Sequence, residues 1–167
     1  MQSKVLLGAA SVFMAVIVSA CGDTTPSATA PSPSPATSPA SSPAVAAATI
    51  MVATDAKLGT ILVDGSGKTL YLFVADKSTA STCYTSCAAL WPPVLTTGAP
   101  VAGSGATGSL LGTTTRTDGK VEVTYAGHPL YYFIQDKKAG DTTGQGIDGF
   151  GGLWWVLSPA GKAITIK

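Results

Sequence analysis

Charge is what the chain has least of. Only 11% of its 167 residues are Asp, Glu, Lys or Arg, with ten basic against nine acidic. A nearly neutral, sparsely charged chain has no electrostatic footprint for nucleic acid and no polybasic patch for anionic lipid. Histidine is reduced to His128, and beyond residue 20 methionine is reduced to Met51. A zinc site needs more ligands than one histidine and a cysteine pair supply, and one methionine is thin for Cu(I). No apolar run of transmembrane length follows residue 20. No nucleophile motif accompanies His128, so no catalytic constellation is assigned. Gly144-Gln145-Gly146 lacks the Lys-Ser/Thr of a phosphate loop. Asp136, Asp141 and Asp148 bracket a glycine-rich stretch but do not fit an EF-hand spacing. The reading therefore assigns no metal and no cofactor.

What is present begins at the N-terminus. Met1–Lys4 carries one positive charge, Val5–Val18 is an apolar stretch, and Ser19-Ala20 are small, the layout of an export signal over 1–20. Val18-Ser19-Ala20-Cys21 resembles the lipobox of bacterial lipoproteins, which implies a diacylglyceryl group on Cys21. Two acyl chains suffice for stable anchoring where one does not. The expected location is the membrane surface, facing the extracytoplasmic side. Residues 22–48 hold 8 Ala, 6 Pro, 6 Ser and 4 Thr, a composition too poor in large apolar groups to fold. Such a tether extends at ~3.1 Å per residue, a reach of roughly 80 Å.

Residues 49–167 are left to form one domain, and that domain repeats itself. Gly67–Lys77 aligns with Gly127–Lys137 at an offset of 60 residues, identical at Gly, Leu, Tyr, Phe, Asp and Lys. Leu90-Trp91 echoes Leu153-Trp154. The copies run over about 57–95 and 117–162. Two copies are too few for a solenoid, so they are expected to pack as pseudo-symmetric halves of one core. No capped 3.6-residue period persists over ten residues. Short β-branched and aromatic runs separated by turn residues predict an all-β domain, a small sandwich or barrel of about eight strands. The expected strands are 50–54, 59–63, 69–74, 110–116, 120–125, 129–134, 154–157 and 163–166. Residues 69–74 and 129–134 are apolar on both faces, as strands covered on both sides are.

The segments Tyr71-x-Phe73-x-x-Asp76 and Tyr131-x-Phe133-x-x-Asp136 resemble the Y-x-[FWY]-x-x-D signature of a bacterial lipoprotein family, also described as a secreted repeat of unknown function. Cys83-x-x-x-Cys87-Ala-Ala-x-Trp91-Pro92-Pro93 and Gly144-Gln145-Gly146 with Gly151-Gly152-x-Trp154 resemble its other hallmarks. The resemblance spans roughly residues 57–162. It implies export and two repeats, and it carries no established activity.

The motif has a structural reading and a functional one. Tyr and Phe two residues apart share a strand face and fill a core, while the aspartate beyond the strand fixes a turn through backbone N–H groups. Alternatively, two tyrosines and two aspartates surround a ligand. Cys83 and Cys87 are an even pair in an exported domain and point to a disulfide; a redox pair is the alternative. Adjacent Trp154 and Trp155 point to opposite strand faces, so one of them, with Trp91, His128 and Gln145, is a candidate binding surface near the glycine-rich loop. Three functions follow: a non-catalytic envelope module binding a protein or glycan partner, a redox or electron-transfer accessory, and a wall hydrolase using Asp76 and Asp136 as paired carboxylates.

Overall fold

A computed structural model describes residues 46–166; the export signal, Cys21 and most of the tether lie outside them. Among the described residues the strands are β1 (Thr49–Asp55), β2 (Gly59–Asp64), β3 (Tyr71–Phe73), β4 (Val101–Ala102), β5 (Leu111–Thr115), β6 (Val121–Tyr125), β7 (His128–Pro129), β8 (Asp148–Gly149) and β9 (Gly152–Val156). One short α-helix, α1 (Ser86–Leu90), interrupts them. The strands form three small sheets in the orders β2-β1-β4, β3-β9-β8 and β5-β6-β7. The domain is all-β, as expected.

Local chemistry sets the hairpins. Asp55 accepts the Lys57 and Leu58 N–H groups at 2.8 and 2.7 Å, closing the β1–β2 turn. Between β6 and β7, Ala126 and Gly127 both take positive φ, 50° and 85°, the twist a two-residue hairpin requires. Ala48 already belongs to the domain: its N–H reaches Thr96 Oγ1 and its carbonyl accepts the Val101 N–H.

The two copies interlock rather than sit side by side. β3 of the first copy pairs with β9 of the second, with Phe73 opposite Trp154. Tyr71 and Tyr131 exchange both backbone hydrogen bonds, at 2.9 and 3.0 Å. The Val74 N–H donates to the Leu153 carbonyl, and the Ile134 N–H donates to the Leu90 carbonyl. Each Tyr-x-Phe strand thus lies against the Leu-Trp segment of the other copy, about a local two-fold axis between Tyr71 and Tyr131.

Several strands are shorter than expected. Residues 69–74 contract to Tyr71–Phe73, and 129–134 contract to His128–Pro129 plus single bridges from Tyr131 to Tyr71 and Pro93. The cause is the same in both copies. The Asp76 N–H turns back to the Phe73 carbonyl and the Asp136 N–H to the Phe133 carbonyl, ending each ladder. Residues 163–166 join β9 through one bridge, Leu157 to Ala163, and the Ile164 N–H to the Val156 carbonyl. β4 and β8 are two-residue strands with no sequence signal of their own.

Alternation along these strands builds two core layers. Tyr71 and Phe73 enter an aromatic cluster with Trp91, Phe133 and Trp154, while Leu70 and Leu72 enter an aliphatic one with Leu62, Val123 and Leu130. In the aromatic layer four rings stack in series. Phe73 lies 4.0 Å from Trp154, Trp154 4.0 Å from Trp91, and Trp91 4.3 Å from Phe133, with interplanar angles of 9°, 4° and 27°. Successive rings come from alternate copies. Tyr71 meets Trp91 edge-on at 5.3 Å and Tyr131 meets Trp154 edge-on at 5.1 Å, again as mates.

Because the stack joins the copies, Trp154→Ala is expected to cost about 3–5 kcal/mol, the usual range for a buried Trp truncated in a core. Guanidinium unfolding checks it. A loss below about 1 kcal/mol would mean that the stack does not hold the copies together.

Candidate functional site

Each motif tyrosine ends on the aspartate of the other copy. Tyr71 OH donates to Asp136 Oδ2 at 2.6 Å, and Tyr131 OH donates to Asp76 Oδ2 at 2.6 Å. The remaining oxygen of each carboxylate caps its own loop. Asp76 Oδ1 accepts the Thr82 N–H and hydroxyl, and Asp136 Oδ1 accepts the Thr143 N–H and hydroxyl. Both aspartates are 5% exposed. Burial, reinforced by the bond to Asp136, pushes the Tyr71 phenol far above its ordinary range. Burial, then the charge of Glu122 and the bond to Asp76, does the same for Tyr131. Both phenols therefore stay protonated and act as donors. The lysine after each aspartate is symmetric as well: Lys77 and Lys137 donate to the carbonyls of Val74 and Ile134.

This geometry overturns the hydrolase reading. Each aspartate is buried in its own turn and committed to three donors. The symmetric arrangement imagined around a ligand exists, but the groups bond one another.

A second buried network surrounds only one mate of the pair. Arg116 donates to Glu122 Oε2 at 2.7 Å, to Ser81 Oγ at 2.8 Å and to the Cys83 carbonyl at 2.7 Å, and it lies over the Tyr84 ring. The Tyr131 O–H points to Asp76, so Ser81 Oγ donates the 2.6 Å hydrogen bond to the Tyr131 oxygen. Arg116 and Glu122 are the chain's only arginine and only glutamate. They flank the Asp118-Gly119 turn between β5 and β6, and Glu122 is fully buried. The sequence reading missed them, although their uniqueness and six-residue spacing across a hairpin turn were a usable signal. Burial works against the Arg116 charge, but the Glu122 carboxylate outweighs it and holds Arg116 above its ordinary value. Burial pushes Glu122 up to about 7 despite Arg116, with the Asp76 charge adding in the same direction.

The surface expected from the aromatics does not form. Trp91 and Trp154 are fully buried and Trp155 is 6% exposed. Both faces of β9 are covered, Trp154 by the aromatic layer and Trp155 by the aliphatic one, so adjacency did not force either outward. Phe150, in a turn at φ 58°, is the exposed aromatic among the described residues instead. Gln145 is a clamp: its Nε2 donates to the Ile164 and Ile166 carbonyls and its Oε1 accepts the Val156 N–H. His128 is half-buried on β7, apart from Gln145. Cys83 and Cys87 are joined with Cα atoms 5.2 Å apart, and both are buried, which shields the sulfurs from an attacking thiolate. Gly144 takes the place of Cys83 in the second copy, and a Cβ there would lie 2.8 Å from Trp91 and 2.9 Å from Tyr71.

Residues 52–95 and 112–158 match the profile of the family Lipoprotein_15, described as a secreted repeat of unknown function. The chain belongs to this family. The two matched segments cover more than half of the chain, and each contains one Tyr–Asp motif. Comparison with curated proteins and with solved structures gave no match. The secreted-repeat family carries no named activity, and its description places the module outside the cytoplasm. No helix among the described residues is long and apolar enough to cross a membrane.

Removing one partner of a buried, charge-assisted bond costs about 1.5–3 kcal/mol. Tyr71→Phe and Tyr131→Phe are each expected to fall in that range. In a cycle of Tyr71→Phe with Asp136→Asn, the unfolding free energies should be strongly non-additive; additivity within about 0.5 kcal/mol would show that the pair is not coupled. Glu122 makes a pH prediction. Its folded pKa lies above the ordinary carboxylate value of 4.5, so its stabilising contribution is complete below that value and is lost as pH rises through about 7. The urea midpoint should drop as pH rises from 4.5 to about 7, and Glu122→Gln should flatten that drop. An unchanged slope in the variant would place the titration elsewhere.

Proposed function

We propose that the protein is a non-catalytic module of the cell envelope, anchored in the membrane by a diacylglyceryl group on Cys21. The tether of residues 22–48 carries its domain outward to engage an envelope partner. The observation that carries this reading is the fate of the repeated motif. Tyr71, Asp76, Tyr131 and Asp136 are all spent inside the core, joining one copy to the other. The residues most suggestive of acid–base chemistry are therefore structural, and the scaffold presents its outer face for recognition. The lipobox-like run ending at Cys21 and the secreted-repeat match support the location. The buried disulfide gives no support to a redox role through Cys83 and Cys87.

The test is metabolic labelling of the full chain in a diderm or monoderm bacterial host with a clickable palmitate analogue. Label should enter the wild-type protein and sediment with membranes. Cys21→Ala should lose both label and sedimentation. Equal labelling of the two forms would remove the anchor from the proposal.

A further inference from the structure

The two copies differ at the border of the aliphatic layer, on the Leu72 and Tyr132 side of the Tyr-x-Phe strand. In the second copy that side is filled. The Tyr132 ring lies under the Lys68 ammonium at 5.7 Å, and its hydroxyl donates to Asp64 at 3.1 Å. At the matching position the first copy has Leu72, and the mate of Lys68 is His128. Beside Leu72 lies a groove of about 330 Å³. Leu72, Val74 and Ala163 give it an apolar lining, and His128 and Lys162 face it. Val74 is 39% exposed there. Lys162 makes no ion pair among the described residues. Asp76 also borders the groove, but both of its oxygens are turned to Thr82 and Tyr131.

The lining selects the occupant. A groove of this size with an apolar lining and a few polar groups is of the kind that holds a small ligand. At Leu72 and Val74 the backbone of its floor is already paired, Leu72 opposite Trp155 and the Val74 N–H on the Leu153 carbonyl, so these two residues offer no ladder bonds to an added peptide strand. A hydrocarbon chain needs no such partners. The basic side chains complement an acidic head group.

We propose that this groove binds the hydrocarbon chain of a fatty-acid-type carboxylate as a monomer, with Lys162 and His128 supplying a cation and an N–H donor to the acid group. The inference names a ligand class for the envelope module and rests on that reading only for its compartment.

The test uses the lipid-free mature chain, residues 21–167 with Cys21→Ser, titrated calorimetrically with dodecanoate below its micellar concentration. One-to-one saturable binding is expected, at least tenfold tighter than for neutral dodecanol, a factor worth about 1.4 kcal/mol. Val74→Asp, at an exposed position, and Leu72→Tyr, which copies the filled mate, should each weaken binding about tenfold or more. Ile134→Asp is the internal control: it is the two-fold mate of Val74, 47% exposed, and outside the groove. It should leave binding unchanged. No saturable binding by the wild type, equal loss in Val74→Asp and Ile134→Asp, equal affinity for dodecanol, or binding only to anionic vesicles would each overturn the proposal. Failure of the anchor reading appears separately, as absent palmitate label with dodecanoate binding intact.

Discussion

Everything else in the domain leans on a reciprocal exchange. Tyr71 donates a hydrogen bond to Asp136 and Tyr131 donates one to Asp76, each across the junction between the copies. A buried carboxylate is costly unless donors surround it, and each aspartate finds one donor pair in its own loop and its third donor in the other copy. Neither copy can satisfy its own aspartate. A lone copy would leave each aspartate with the donors of its own loop only and each phenol without its acceptor, so the two copies complete one another.

The same junction organises the rings. Paired tyrosine backbones set the register at the axis, and the four-ring stack then alternates copies along it. The loops that carry Trp91 and Trp154 back to the axis solve one problem by different means. The first is closed by Cys83–Cys87 around α1; the second uses Gly144, which lets the backbone approach Tyr71 and Trp91, followed by the β8–β9 hairpin. Around the shared junction the copies have diverged. Arg116 and Glu122 reinforce the Tyr131 side alone, and the groove lies beside Leu72, where the other copy has Tyr132. A symmetric scaffold with asymmetric surroundings is how a duplicated core can keep its stability while one face acquires a separate use.

Much of this was legible in the residues themselves. The 60-residue offset, the strand-like alternation and the turn dipeptides determined an all-β domain of two copies. Their determinants are local, since period-two burial and positive φ at Ala126-Gly127 depend on neighbours along the chain. The cysteine pair, four residues apart, is local in the same sense. Partners distant in sequence were decided only by the tertiary structure. Each aspartate bonds a tyrosine 55 or 65 residues away, and a single copy gives no sign that its mate will come from the other. Trp154 and Trp155 were read as exposing one ring because an isolated strand has two faces; a second layer covers the other. The groove, too, is invisible along the chain, because its lining comes from three separate segments, around Leu72, His128 and Lys162.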